Sequence, residues 1–178
     1  MKRQLERSRA RRQALQILFQ SDIRSCSATS LLEEGGTVIT SPDGDATLGS
    51  AAVDDFARSL VEGVEAHRAD LDERIVEISE NWTLSRMPAV DRNILRIALY
   101  ELSFEPDIPE GVSINEAVEM AKLFGGDESS KFVNGVLGKA VRADARSAAT
   151  ADDASGAPAG DDRALTEVVE RVDGQDGV

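Results

Sequence analysis

Apolar residues in this chain recur three, four, seven and eight positions apart. Val53, Phe56, Ala57, Leu60, Val61 and Val64 make one such stripe, the mark of a helix with a single buried face. Leu71, Ile75 and Ile78 make another, followed by Ile94, Leu95, Ala98 and Leu102, and then by Phe132, Val133, Val136, Leu137 and Ala140. No strand-like alternation competes with this period. Helices without a sheet bury their stripes against one another, so the pattern predicts an all-α domain of about six or seven helices. A chain of 178 residues is long enough for one such domain with a real core, plus a tail.

Punctuation along the chain divides it further. Pro88 suits a first helical turn, where its missing N–H costs nothing. Ser113 and Glu116 have the spacing of a capping box, and Gly125 or Gly126 supplies a left-handed stop. Residues 25–50 are dense in Ser, Thr, Gly and Pro without a sustained period, and read as a long loop or insertion. Residues 143–178 hold too few large apolar side chains to offset the entropy of ordering, and read as a mostly disordered tail. Within it, Leu165, Val168, Val169 and Val172 fall at helical spacing after Asp161 and Asp162, a short helix that is marginal unless docked.

Charge is distributed as unevenly as hydropathy. The formal net charge is -13, which by itself argues against nucleic acid. Residues 1–24, however, hold seven basic side chains against Glu6 and Asp22, a net +5. Residues 143–178 hold nine acids and three arginines, a net -6. A short basic patch on an acidic body marks a local anion-binding surface; its bland counterpart is a solvated, charged helix end.

Other chemistries find little to work with. A single cysteine, Cys26, excludes a disulfide framework, and with the single histidine, His67, it falls short of a Cys/His metal site. His67 has no Glu three residues before it, as a di-iron carboxylate bundle requires, and reads as an exposed helix-end residue. Phosphate-loop and dinucleotide spacings are absent. No enzyme, metal or cofactor is expected. No apolar run approaches the roughly 18 residues of a membrane span and no signal peptide is evident, so the expected location is the cytoplasm.

The first helix carries the strongest signal. Ala10, Ala14, Ile17 and Leu18 cluster on one side as its core stripe. Carried backwards, that stripe meets Arg3 and Arg7, which are costly to bury unpaired. Residues 1–8 are therefore expected to overhang as a flexible basic arm, with Ser8 capping the helix. Arg9, Arg12, Gln16 and Phe19 line the roughly opposite side. Guanidinium for phosphate, amide for a base edge and a ring for stacking are what single-stranded RNA demands. Clustered arginines at a helix N-terminus oppose the macrodipole, a situation that a bound phosphate reverses. Core packing remains the alternative for Phe19. For the whole molecule, the alternative is a protein-only helical adaptor whose basic helix docks an acidic partner.

The blocks RSRARRQALQILFQSD (7–22), NWTLSRMPAVDRNILRIALYEL (81–102), SINEAVEMAKLFG (113–125) and KFVNGVLGKAVR (131–142) closely resemble the NusB family in sequence and order. The resemblance runs over about 2–142, missing the 25–50 loop and the tail. It implies two small antiparallel helical bundles in one compact domain, here 9–142, and a non-enzymatic role in transcription antitermination. Family members bind boxA RNA of ribosomal RNA operons together with the ribosomal protein NusE, in a complex on RNA polymerase. Some are monomers and others homodimers, and both remain open here.

By that resemblance the RNA-binding residues are Arg7, Arg9, Arg11, Arg12, Gln16 and Phe19, with a second contact region at Lys131 and Phe132; Lys2 and Arg3 of the basic arm are expected to join them by charge. Phe19 stands where the family often has Tyr, and keeps the ring without the hydroxyl. Asp127 and Glu128 match a region implicated on the NusE side, although Asp127 also reads as a helix N-cap. The acidic tail has no counterpart in the compact family pattern. As a tethered polyanion it is expected to compete with RNA for the basic helix, the alternative being an inert solubilising segment.

Overall fold

The computed structural model describes residues 2–34, 52–80 and 82–155, and these form seven α-helices and no strand. They are α1 (Lys2–Arg24), α2 (Ala28–Glu33), α3 (Asp55–Ala66), α4 (Arg68–Ser79), α5 (Ala89–Phe104), α6 (Glu110–Phe124) and α7 (Ser129–Ser155), with a 3-10 turn at Leu84–Arg86. Residues up to Asp144 make one compact unit. Of a second unit, Ala145–Val178, the described part is the helical end of α7.

Each predicted stripe is a buried face. In α3 the Asp54 carboxylate accepts from the Phe56 N–H at 2.9 Å and caps the first turn, and Ala57, Leu60, Val61 and Val64 are fully buried. Helix α5 carries the longest apolar run, with Ile94, Leu95, Ile97, Ala98 and Leu99 all buried. It packs on α1, α3, α4 and α6, while α1, α2 and α3 pack on one another. Helix α7 closes the core with Val133, Val136, Leu137 and Ala140. His67 joins α3 to α4; it is half-buried rather than exposed, because its ring stacks on Phe104 with centres 4.1 Å apart.

Several local expectations give way. Helix α1 begins at Lys2, so residues 2–8 are helical rather than a flexible arm. Ser8 caps nothing; its Oγ lies 3.0 Å from the Gln4 carbonyl and 2.8 Å from Glu116 Oε1. The expected 25–50 loop opens with α2, capped by Ser27 and held by buried Leu31 and Leu32, a segment too short to show a period. Pro88 sits one position earlier than expected, at the N-cap of α5.

Helix α6 starts at Glu110 behind Pro109, a full turn before the supposed capping box, which places Ser113 and Glu116 inside the helix. Gly125 ends α6 in an extended conformation, with φ at -90° and ψ at -177°, not a left-handed one. Glycine is needed there for space: a Cβ would lie 2.5 Å from Ser129 Cβ and 2.7 Å from the Ala121 carbonyl oxygen. Helix α7 runs on to Ser155, through the first part of the segment expected to be disordered. The rest of that tail, including 165–172, and the rest of the loop lie outside the described residues.

Candidate nucleic-acid interface

Helix α1 sorts its side chains by chemistry. Ala10, Ala14, Leu15, Ile17 and Leu18 are buried. Arg9 is exposed, and Arg12 and Gln16 are half-buried. Phe19 is 36% exposed, which removes it from the core and leaves a ring face accessible. Neither Arg9 nor Arg12 has an acidic partner among the described residues, although the chain carries 33 acids. Two unpaired guanidinium groups, an amide and a ring along one helix face match the row predicted from the sequence.

Arg11 does not belong to that row. Its side chain is 2% exposed, with Nε 2.7 Å and Nη2 3.2 Å from the two carboxylate oxygens of Glu101, itself 1% exposed. Ser113 donates to Glu101 Oε2 at 2.7 Å, and Glu116 Oε2 lies 3.6 Å from Arg11 Nη1. Burial of a charge is tolerated here because the pairing is bidentate and the carboxylate is further satisfied. The supposed capping-box residues are thus the outer members of an ionic core linking α1, α5 and α6. Arg7 is half-buried, its guanidinium 5.0 Å above the Phe56 ring centre, so a cation–π contact replaces the unpaired burial that the stripe threatened. Lys2 and Arg3 fall in the first turn of α1, and their side chains lie outside the described residues.

The far end of α1 is anchored by a second network. The Asp22 carboxylate accepts from Arg68, Arg92, Arg96 and Asn93 at 2.8 to 3.3 Å. Arg96 also forks onto Asp72 at 2.6 and 2.8 Å. Burial alone would raise the pKa of Asp22, but the Arg92 hydrogen bond, the Arg96 charge and the Arg68 and Asn93 hydrogen bonds outweigh it and hold the value at about 2. Sequence reading missed this cluster, whose members are up to 74 residues apart.

The remaining predicted residues build a different patch. Lys131 is exposed and donates to Glu128 at 3.0 Å, so the residue predicted for RNA and one predicted for the protein partner neutralise each other. Asp127 is exposed in the turn before α7; since α7 starts at Ser129, the N-cap position falls on Glu128, not Asp127. Ser129 Oγ accepts from the Gly126 N–H and donates to buried Asp91, both at 2.9 Å. Asp91 is pushed above the usual carboxylate range by burial, an effect that the Ser129 hydrogen bond only partly offsets. Phe132 is half-buried with its ring 5.6 Å from that of Trp82. Trp82 was missed as well; its signal is a large aromatic placed between helices, outside every apolar stripe.

Among the described residues, no group of three or more His, Cys, Asp or Glu is placed to hold a metal ion. No described helix is long and apolar enough to cross a membrane.

A sequence profile of the NusB family matches residues 8–142. The transcription antitermination protein NusB of Geotalea uraniireducens is 47% identical over 137 residues, which cover 74% of this chain and 90% of that protein. Among solved structures, NusB of T. maritima matches with a TM-score of 0.61 and 38% identity, over 75% of this chain and 88% of that one. A structure of antitermination factors NusB and NusE in complex with dsRNA matches with a TM-score of 0.63 and 26% identity, over 80% and 99%. With a family profile matched over 8–142, a span that takes in most of the arginine-bearing first helix, the whole of α2 to α6 and the start of α7, the chain belongs to the NusB family.

Proposed function

We propose that this protein is a transcription antitermination factor. It binds boxA RNA of ribosomal RNA operons through the outward face of α1, together with NusE, in a complex on RNA polymerase. It acts in the cytoplasm by binding alone, without catalysis. The observation that carries this reading is the pair Arg9 and Arg12, without an acidic partner among the described residues, in line with Gln16 and the exposed Phe19. Because α1 begins at Lys2, Arg9 and Arg12 lie beyond its first turn and meet a phosphate through their guanidinium groups, by charge-assisted hydrogen bonds, rather than through the helix dipole. The ring and the amide add what a purely ionic contact lacks, a stacking surface and a base-edge partner. The protein neighbours support the assignment of partners, since one of them is a NusB held with NusE and RNA.

Filter binding of single-stranded boxA RNA across a salt series tests the electrostatic part. Arg7, Arg9, Arg12 and Lys131 make about four phosphate contacts, so log K should fall against log salt with a slope of about -2.8. A slope near zero removes the proposal. The competing reading, a protein-only adaptor for an acidic partner, predicts that an acidic peptide binds the basic helix while boxA RNA does not. The Gln16 and Phe19 positions favour RNA, because neither side chain adds anything to a purely ionic contact.

A further inference from the structure

Trp82 is the one tryptophan of the chain, and it is 47% exposed. Its ring leans on Phe132, with planes inclined by 48°. The pair borders a cavity of about 260 Å³, also lined by Ile78, Lys131, Gly135 and Lys139. Gly135 is the unexpected member. It stands inside α7, where glycine is disfavoured relative to almost any other residue. A Cβ added there would meet nothing within 4 Å, so no neighbour within the fold demands its absence. The bare position leaves room for something that comes from outside the chain.

What surrounds the bare position indicates what that is. Lys131, Gly135 and Lys139 are spaced by four and form one row along α7, with an ammonium group on either side of the glycine, about 12 Å apart along the axis. Lys131 pairs with Glu128 at 3.0 Å and Lys139 with Glu80 at 3.1 Å. Both pairs are solvent-exposed, and such pairs exchange readily for a competing anion. Glu80 itself is held at a φ of 52°, a backbone strain at the carboxyl end of α4. An aromatic wall, a surface without a side chain and flanking cations suit a flat ring carried on a polyanion.

We propose that this cavity is a base slot: one unstacked nucleobase of single-stranded RNA stacks on Trp82 above the bare surface at Gly135, while Lys131 and Lys139 take the flanking phosphates. The slot rests on the RNA-binding reading above and adds Trp82, Gly135 and Lys139 to it.

One titration of the full chain with end-labelled single-stranded boxA RNA gives two readouts, the anisotropy of the label and the emission of Trp82. Stacking on the indole should quench its emission along the same isotherm as the anisotropy rises. Gly135→Ala fills the slot: it should weaken RNA binding about tenfold while raising the thermal midpoint by about 2 °C. Trp82→Ala should weaken binding by a similar factor, and Trp82→Phe should restore most of it. Anisotropy that reports binding while Trp82 emission stays flat, with Gly135→Ala binding like the parent, overturns the slot and leaves the RNA-binding reading standing. A lower thermal midpoint for Gly135→Ala also overturns it, since the glycine would then serve packing. Quenching by an acidic peptide but not by RNA assigns the cavity to a protein and refutes the proposal. No anisotropy change at all defeats both readings together.

Discussion

Consider the removal of Arg11, which sits among arginines that face solvent yet is itself enclosed. In Arg11→Ala the Glu101 carboxylate keeps the Ser113 hydroxyl at 2.7 Å but loses guanidinium hydrogen bonds of 2.7 and 3.2 Å. With both side chains at most 2% exposed, water cannot take over, and an uncompensated buried carboxylate costs about 3 to 5 kcal/mol. Total stability of a domain is roughly 5 to 15 kcal/mol, so the loss is about a fifth of it or more. Arg9→Ala, at an exposed position without an acidic partner, should change stability by no more than about 0.5 kcal/mol while weakening RNA binding. Urea unfolding followed by circular dichroism, beside RNA anisotropy on the same samples, separates the two. The double variant Arg11→Met with Glu101→Leu removes both charges together and should recover to within about 2 kcal/mol of the parent. If Arg11→Ala stays within about 1 kcal/mol of the parent and loses RNA affinity as Arg9→Ala does, the assignment of Arg11 to the core is wrong.

Phe19→Leu should weaken boxA binding about fivefold with unchanged urea midpoint, since the ring is 36% exposed and stacking is worth about 1 to 3 kcal/mol per base; a shifted midpoint with unchanged affinity would return Phe19 to the core. Asp22 has a folded pKa of about 2 against an ordinary 3.8, so the unfolded state binds its proton more tightly and the ionised carboxylate favours the fold. Its contribution of about 2 kcal/mol is complete above the unfolded value and disappears as pH falls through the folded one. Acid titrations of parent and Asp22→Asn should therefore differ in slope between about pH 4 and pH 2, and parallel curves would refute the claim. Gly125→Ala should cost about 1 to 3 kcal/mol through the clash with Ser129 and the Ala121 carbonyl, measured by thermal unfolding.

The helical period was legible because burial of one face imposes it on the sequence directly. Helix starts were less so: Ser113 and Glu116 satisfy the spacing of a cap, but Pro109 had already opened the helix one turn earlier. The outward row of α1 could be read from angles alone, since Arg9, Arg12, Gln16 and Phe19 share a side. Arg11 could partly be read too, because about 100° per residue places it between Leu18 and Leu15, inside the buried arc. Its partner could not, being 90 residues away on α5. The Trp82 contact depends likewise on how α7 lies against the turn before α5, which no local pattern encodes. Expectations for the acidic tail and for most of the 25–50 loop fall on residues the structure does not describe.

Helix α1 is fastened to α5 twice, by Arg11 on Glu101 near its middle and by Asp22 on Arg92 and Arg96 near its carboxyl end. The stretch between those bolts, which includes Arg12, Gln16 and Phe19, is therefore a stiff rail whose groove and spacing exist before any transcript arrives. A ligand meeting such a rail spends none of its contact energy on shaping the protein. Cutting either bolt should consequently slow capture of the strand even where every contacting side chain is left intact.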